Sequence, residues 1–252
     1  MAKKKKDADE QLDAVDYMDR IGDWVEKNSK IFVTAFVVLV LAVGAFWSYS
    51  LYESQQVKSA AKMSGFITRK IELLERAIEN AKNPESEEFK SNLEKEIEDL
   101  QSRTSELVSK YPSKSLTDLA LIKYSGFLDE QGKKEESLKV LDMAKVSPFR
   151  KLSGVLLLLK AKHLHRAGQD TESIAAYDRV IAEETWKAFH SEALIQKALL
   201  NKKAGDFESA EANLQKAKAL NDSGAFYEDA EKYLRLIQYK KNQRAEDTKN
   251  NG

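Results

Sequence analysis

The chain has no cysteine among its 252 residues, and it has few of the residues that form turns. The absence of cysteine excludes disulfides, thiolate zinc sites and a cysteine nucleophile. Only 3 prolines and 10 glycines occur, whereas a sheet protein needs frequent turn residues. The sequence therefore predicts an all-α protein.

A charge excess of either sign is also lacking, because 41 basic residues balance 41 acidic ones. A neutral chain has no bulk attraction for nucleic acid. The sequence contains no P-loop, GxGxxG, GxSxG, HExxH or EF-hand pattern. His163 and His165 are two residues apart, so on a helix they point away from each other and cannot share an ion. We expect no enzyme activity, metal, cofactor or small-molecule substrate.

One long hydrophobic run is present, at residues 31–52, and it contains no charged residue. A helix of this length reaches ~33 Å, which is enough to cross a hydrocarbon core of ~30 Å. The run is longer than the core of a cleaved signal peptide and ends in bulky aromatic residues. We predict a transmembrane signal anchor with these interface residues: Lys27, Lys30, Trp47, Tyr49 and Tyr52.

Positive charge is concentrated before the span, which predicts a cytoplasmic N-terminus and an exported C-terminal domain. Residues 1–30 form a cytoplasmic tail with a short amphipathic helix, whose apolar positions recur every three or four residues. This helix either lies on the inner membrane surface or docks a partner. Its apolar positions are Leu12, Val15, Met18, Ile21 and Val25.

Residues 53–111 read as a long helical hairpin. Apolar residues recur at helical spacing on both sides of a turn at Asn83-Pro84. Tyr111-Pro112 ends the second helix, because the residue before a proline avoids the helical region.

An internal repeat follows, in which a helix, a glycine-led turn and a second helix occur three times. The turn glycines are Gly132, Gly168 and Gly205, spaced 36 and 37 residues apart. A period near ~34 residues in helix–turn–helix units is typical of tetratricopeptide arrays. Three further positions agree in register: small residues at Ser137, Ser173 and Ala210, large ones at Leu141, Tyr177 and Leu214, and close-approach residues at Ala144, Val180 and Ala217.

The predicted fold is all-α: a single transmembrane helix followed by a tetratricopeptide-like α-solenoid, with a long helical pair before the repeats and a C-terminal capping helix. The repeats and the cap occupy residues 112–240, because a repeat array needs a terminal element with a polar outer face. Residues 241–252 are polar without an apolar anchor, and we expect a disordered tail there.

A solenoid of helix pairs has an inner groove that binds peptides or protein surfaces. Phasing by the glycines directs nine side chains toward this concave groove: Leu119, Ile122, Val155, Leu158, Lys162, His165, Ile195, Leu199 and Lys202. Two interpretations of these residues stay open. Either the groove is free to hold a partner, or the 53–111 hairpin folds into it and the apolar residues are core.

Several stretches resemble a known family. The amphipathic segment DAVDYMDRIGDWVEKNSK, the anchor and the repeat segments together resemble the YfgM-type ancillary subunits of the bacterial SecYEG translocon. Two features of the resemblance are more specific than the general repeat motif. One is the order of anchor and repeats, and the other is the third unit, which has Trp186 near its start: ETWKAFHSEALIQKALLNKKAGDFESAEANLQKA. The resemblance covers residues 14 to 220.

That resemblance implies an inner-membrane protein with periplasmic repeats. It further implies association with the SecYEG translocon, with a membrane-anchored periplasmic chaperone resembling prolyl isomerases, and with exported chains in transit. The alternative is a membrane-tethered tetratricopeptide scaffold for another envelope assembly, such as division, secretion or motility machinery. Both readings predict protein partners and contact with the lipid bilayer through one span, and neither predicts nucleic acid.

Overall fold

The computed structural model describes residues 22–24, 26–221 and 223–250, including side chains except those of residues 32 and 244–250. Within this part of the chain every regular element is a helix. The structure divides into two compact units, one ending at Gln56 and the other beginning at Val57. The all-α prediction is confirmed. The stripe predicted for the N-terminal amphipathic helix lies outside the described residues.

The first long helix, α1, spans Ser29–Glu79 and is long and apolar enough to cross a membrane. Its apolar stretch is unburied, and the side chains of Trp47, Tyr49 and Tyr52 are exposed. Lys27 and Lys30, which precede the apolar stretch in the sequence, are also exposed. These are the properties that the hydrophobic run predicts, since core helices are rarely apolar on every face.

Residues 57–79 of α1 pair with α2, which spans Glu87–Lys110. Ser86 caps α2, because its side-chain oxygen accepts a hydrogen bond from the backbone N–H of Phe89 at 3.3 Å. Lys70 of α1 bonds Asp99 of α2. The Arg103 guanidinium lies 4.3 Å from the centre of the Phe66 ring. Ionic and cation–π contacts therefore add to the apolar packing of this pair.

Three helix pairs follow in the order predicted from the glycine spacing. They are α3 and α4 (Ser115–Glu130 and Lys134–Asp142), α5 and α6 (Lys151–Arg166 and Asp170–Ala182), and α7 and α8 (His190–Lys203 and Phe207–Ala219). A 3-10 turn, Glu184–Phe189, precedes α7. The helices within each pair pack together, and each second helix packs on the next pair. This stacking is that of a tetratricopeptide-like α-solenoid.

The turn glycines have the backbone that their positions demand. Gly132, Gly168 and Gly205 have φ values of 74°, 78° and 83°, which L side chains rarely adopt. After Gly168, the backbone N–H of Gln169 donates a hydrogen bond to the carbonyl of Leu164 at 2.9 Å. The other two turns repeat this bond, which satisfies carbonyls at the helix end.

The predicted small and large positions are buried as the repeat pattern requires. Ser137 and Ser173 are fully buried and donate to the carbonyls of Ser125 and Ala161 on the preceding helix, at 2.8 and 2.7 Å. Both bonds join the two helices of one repeat. Ala144 is the exception to full burial, since it is only half-buried.

The last helix, α9, spans Ala225–Asn250 and packs on α7 and α8. Its predicted end at Lys240 is wrong, because the segment expected to be disordered continues as helix to Asn250. Residues 240–250 contain neither proline nor glycine and are rich in good helix formers, so no local signal stops the helix. Lys241 Nζ also bonds Glu211 Oε2 of α8 at 3.0 Å.

Candidate protein-binding groove

The nine predicted groove residues lie on the first helices of the three repeats. Leu119 and Ile122 lie on α3, four of the residues lie on α5, and three lie on α7. The N-terminal pair packs on the first repeat through α2 and α3. The main packing partners of α5 and α7 are repeat helices, α9 and the 3-10 turn. In the described residues the hairpin thus stacks beside the first repeat.

Two of the nine residues belong to the core. Leu158 is 5% exposed and packs in a cluster with Tyr177 and Trp186, while Ile195 is 4% exposed and packs with Leu214 and other residues of the third repeat. These two side chains are therefore core and do not form part of an open surface. The physical reason is that a helix in a stacked pair contacts both its own partner and the next pair, so its buried arc is wide.

The other apolar groove residues are half-buried: Leu119, Ile122, Val155 and Leu199. Leu119 lines a groove of about 400 Å³ between α1 and the start of α3, together with Leu116 and Gly65. Half-exposed apolar side chains on successive inner helices provide surface that a partner can bury.

The polar groove residues carry less free charge than the sequence suggests. Lys162 of α5 pairs with Glu192 of α7. His165 Nδ1 lies 3.0 Å from Asp170 Oδ1. A side-chain hydrogen bond from Lys203 is the largest cause holding the pKa of Asp170 below its usual range, and His165 adds to it. Lys202 is half-buried.

The two neighbouring histidines have different environments, as expected from their spacing. His163 is buried, with Nδ1 3.8 Å from Asp129 Oδ1, and burial lowers its pKa despite that carboxylate. His165 faces Asp170 instead. No group of three potential metal ligands of the histidine, cysteine or acidic type occurs within the described ranges.

Sequence reasoning missed a buried polar cluster between repeats, called here the clasp, which is formed by Asp118, Arg150 and Ser153. Asp118 is 1% exposed and lies 3.2 Å from Arg150 Nε, and it accepts a hydrogen bond from Ser153 Oγ at 3.0 Å. Burial raises the pKa of Asp118, although the Arg150 charge and the Ser153 bond oppose that shift. The lone signal in the sequence is an acidic residue at an otherwise apolar helix position, which does not identify a partner 32 residues away.

Trp186 completes the clasp. Its Nε1–H donates to the carbonyl of Arg150 at 2.9 Å, and its ring covers Gly154 so closely that a Cβ there would lie 2.7 Å from a ring carbon. Thr185 Oγ1 donates to the carbonyl of Pro148 at 2.5 Å. These bonds fix the third repeat to the loop that precedes the second repeat.

No family model matches the chain, and neither does any curated protein. Among solved structures, the chain is similar to a tetratricopeptide repeat protein from Parabacteroides merdae, with 14% identity and a TM-score of 0.47 over 74% of this chain and 61% of that one. It is also similar to MamA, with 14% identity and a TM-score of 0.38 over 64% of this chain and 98% of that one. The chain thus spans about three-fifths of the first of these structures.

Proposed function

We propose that the protein is a membrane-anchored adaptor whose repeat domain binds other proteins. The observation that carries this proposal is the series of half-buried apolar side chains on the inner helices, including Leu119, Val155 and Leu199. Such a surface gains free energy when a helix or an extended segment covers it. Residues 31–52 would act as a signal anchor that restricts the domain to the membrane, where a high local concentration makes weak binding sufficient.

The resemblance supports a more specific form of this proposal. The protein would lie in the bacterial inner membrane with its N-terminus in the cytoplasm and residues 53–252 in the periplasm. There it would associate with the SecYEG translocon and bind periplasmic chaperones or exported chains. Lysine and arginine are more numerous before the span than in the residues just after it, which supports this orientation.

The groove is tested by photo-cross-linking of the full-length protein in intact bacteria. A photoreactive amino acid is placed at Val155 or Leu199, and Ala175 on the outer side of α6 serves as the matched control because it is exposed. We expect protein adducts from the two groove positions and few from Ala175. Equal adduct yields from all three positions would refute the groove as the binding surface.

The identity of the partners is tested by affinity purification after cross-linking and gentle solubilisation. Recovery of translocon subunits with periplasmic chaperones is the expected result. Enrichment of a different envelope assembly would replace the adaptor by a scaffold for that assembly, with the same groove.

The orientation is tested with single cysteines, since the chain has none of its own. Ala167→Cys lies on an exposed turn of the repeat domain. We expect a membrane-impermeant maleimide to label it in spheroplasts without lysis. Labelling only after lysis would place the repeats in the cytoplasm.

A further inference from the structure

The loop of residues 143–150, between α4 and α5, projects one aromatic side chain into solvent. Phe149 is 91% exposed, whereas no other large hydrophobic side chain among the described residues exceeds 70% exposure. Even the described side chains of the apolar stretch of α1 are less exposed. A single surface hydrophobic residue is ordinary, so its surroundings decide whether this exposure has a use.

The backbone on both sides of Phe149 is held in place. The carbonyl of Pro148 accepts the Thr185 hydroxyl at 2.5 Å, and the carbonyl of Arg150 accepts the Trp186 indole N–H at 2.9 Å. The Arg150 guanidinium is itself bound to the buried Asp118. The ring of Phe149 is thus presented by a fixed loop, so docking it requires little further ordering of the chain.

Two exposed lysines flank this ring, Lys145 in the loop and Lys151 at the start of α5. Two acidic residues in the adjoining segments are paired with lysines. Asp142 Oδ1 lies 2.5 Å from Lys160 Nζ, and Glu184 lies 3.4 Å from Lys187. The loop itself contains no acidic residue. It therefore combines an apolar tip with positive charge.

Within the second compact unit, the loop is linked to the region where α1 contacts the start of α3. Ser64 Oγ of α1 donates to the carbonyl of Leu116 at 2.8 Å, at the start of α3. Arg150 Nη1 donates to the carbonyl of Pro112 at 3.1 Å, which joins the Phe149 loop to the turn before α3. The unit begins at Val57, five residues after the end of the apolar run in sequence.

From these observations we infer that the Phe149 loop docks on an anionic lipid surface, with the ring in the interface and Lys145 and Lys151 against lipid phosphates. The inference rests on the proposed membrane anchor. A lone projecting ring between lysines matches the pattern of interfacial membrane contacts. A protein partner would be expected to bury a cluster of anchors, which this loop does not present.

The test uses the full chain reconstituted in vesicles, with an environment-sensitive fluorophore on Phe149→Cys as its single thiol. The vesicles contain phosphatidylcholine with or without phosphatidylglycerol, and lipids with a nitroxide at the interface act as quenchers. Ala167→Cys, on the exposed turn at the other end of α5, is the control. We expect a blue shift and quenching at position 149 in anionic vesicles, and neither at position 167.

Neutralising both lysines, Lys145→Gln with Lys151→Gln, should lower the ratio of docked to undocked loop about 30-fold, equivalent to about 1 kcal/mol for each lysine. High salt should act in the same direction. Equal quenching at positions 149 and 167 would overturn the inference, and so would protection of position 149 that appears only when envelope proteins are added.

Flotation of the protein with the vesicles is measured in parallel. Flotation without quenching at position 149 would refute the docking while leaving the anchor and the proposed function in place. A failure to float would refute the anchor itself, and with it the basis of the inference.

Discussion

Gly154→Ala should destabilise the protein, although replacing a glycine within a helix by alanine normally stabilises it. A Cβ at position 154 would lie 2.7 Å from the Trp186 ring, where 3.4–4 Å is ordinary contact. The ring would have to move by about 0.7 Å or more to restore that contact. It has little room, because Trp186 is 2% exposed and its Nε1 is bonded to the carbonyl of Arg150.

Gly126→Ala is the matched control, since position 126 is also in a helix interior and no atom lies within 4 Å of its added Cβ. Both substitutions gain about 1 kcal/mol of helix propensity. That gain cancels in the comparison, so the difference between the variants measures the overpacking at Trp186, about 1–3 kcal/mol. Gly126→Ala should raise the stability by up to about 1 kcal/mol, and Gly154→Ala should lower it.

The assay is urea denaturation of the full chain in a mild detergent, followed by circular dichroism. A second pair of measurements isolates the contact. In a Trp186→Leu background, Gly154→Ala should become stabilising, because the ring that it meets is gone. The reasoning is refuted if Gly154→Ala is as stabilising as Gly126→Ala, or if removing the ring leaves its effect unchanged.

Three further results are expected from the same assay. Leu158→Ala should lower the free energy of unfolding by about 2–5 kcal/mol, because this core side chain leaves a cavity when it is truncated. The side chain of Val155 is half-buried. A smaller loss for Leu158→Ala than for Val155→Ala would contradict the placement of Leu158 in the core. Gly168→Ala should lower the free energy of unfolding by about 1–2 kcal/mol through backbone strain alone, since φ is 78° and the added Cβ would meet no atom within 4 Å. An unchanged urea midpoint would show that the turn does not strain an alanine. His163→Gln should flatten the loss of stability on acidification from about pH 7 to pH 5, because burial favours the neutral form of His163.

The sign of the His163 effect follows from its surroundings. Burial lowers its folded pKa below the ordinary value of 6.5, against the attraction of Asp129 and in the same direction as the charges of Arg166 and Lys134. As the pH falls through that ordinary value, the unfolded chain takes up a proton before the folded one does. Stability is then lost down to the folded pKa. An identical pH profile in His163→Gln would show that other groups carry the acid sensitivity.

Local sequence determined much of the architecture. The uncharged run at residues 31–52 sets a helix that is apolar on all sides, and the spacing of Gly132, Gly168 and Gly205 sets the three turns. These features could be read directly because helical periodicity and positive φ depend on neighbouring residues. The end of α9 was missed, since residues 240–250 contain no helix stop signal and helix propensity alone extends it.

Tertiary structure decided the character of the groove and of the repeat contacts. Helix phasing could not separate the buried Leu158 from the half-buried Val155, because burial depends on what the next helix pair covers. The pairing of Lys162 with Glu192 likewise depends on how α5 and α7 are stacked. The spacing of the glycines alone sets where the helices begin to repeat. The contacts around Arg150 depend on packing, because it brings together side chains more than thirty residues apart.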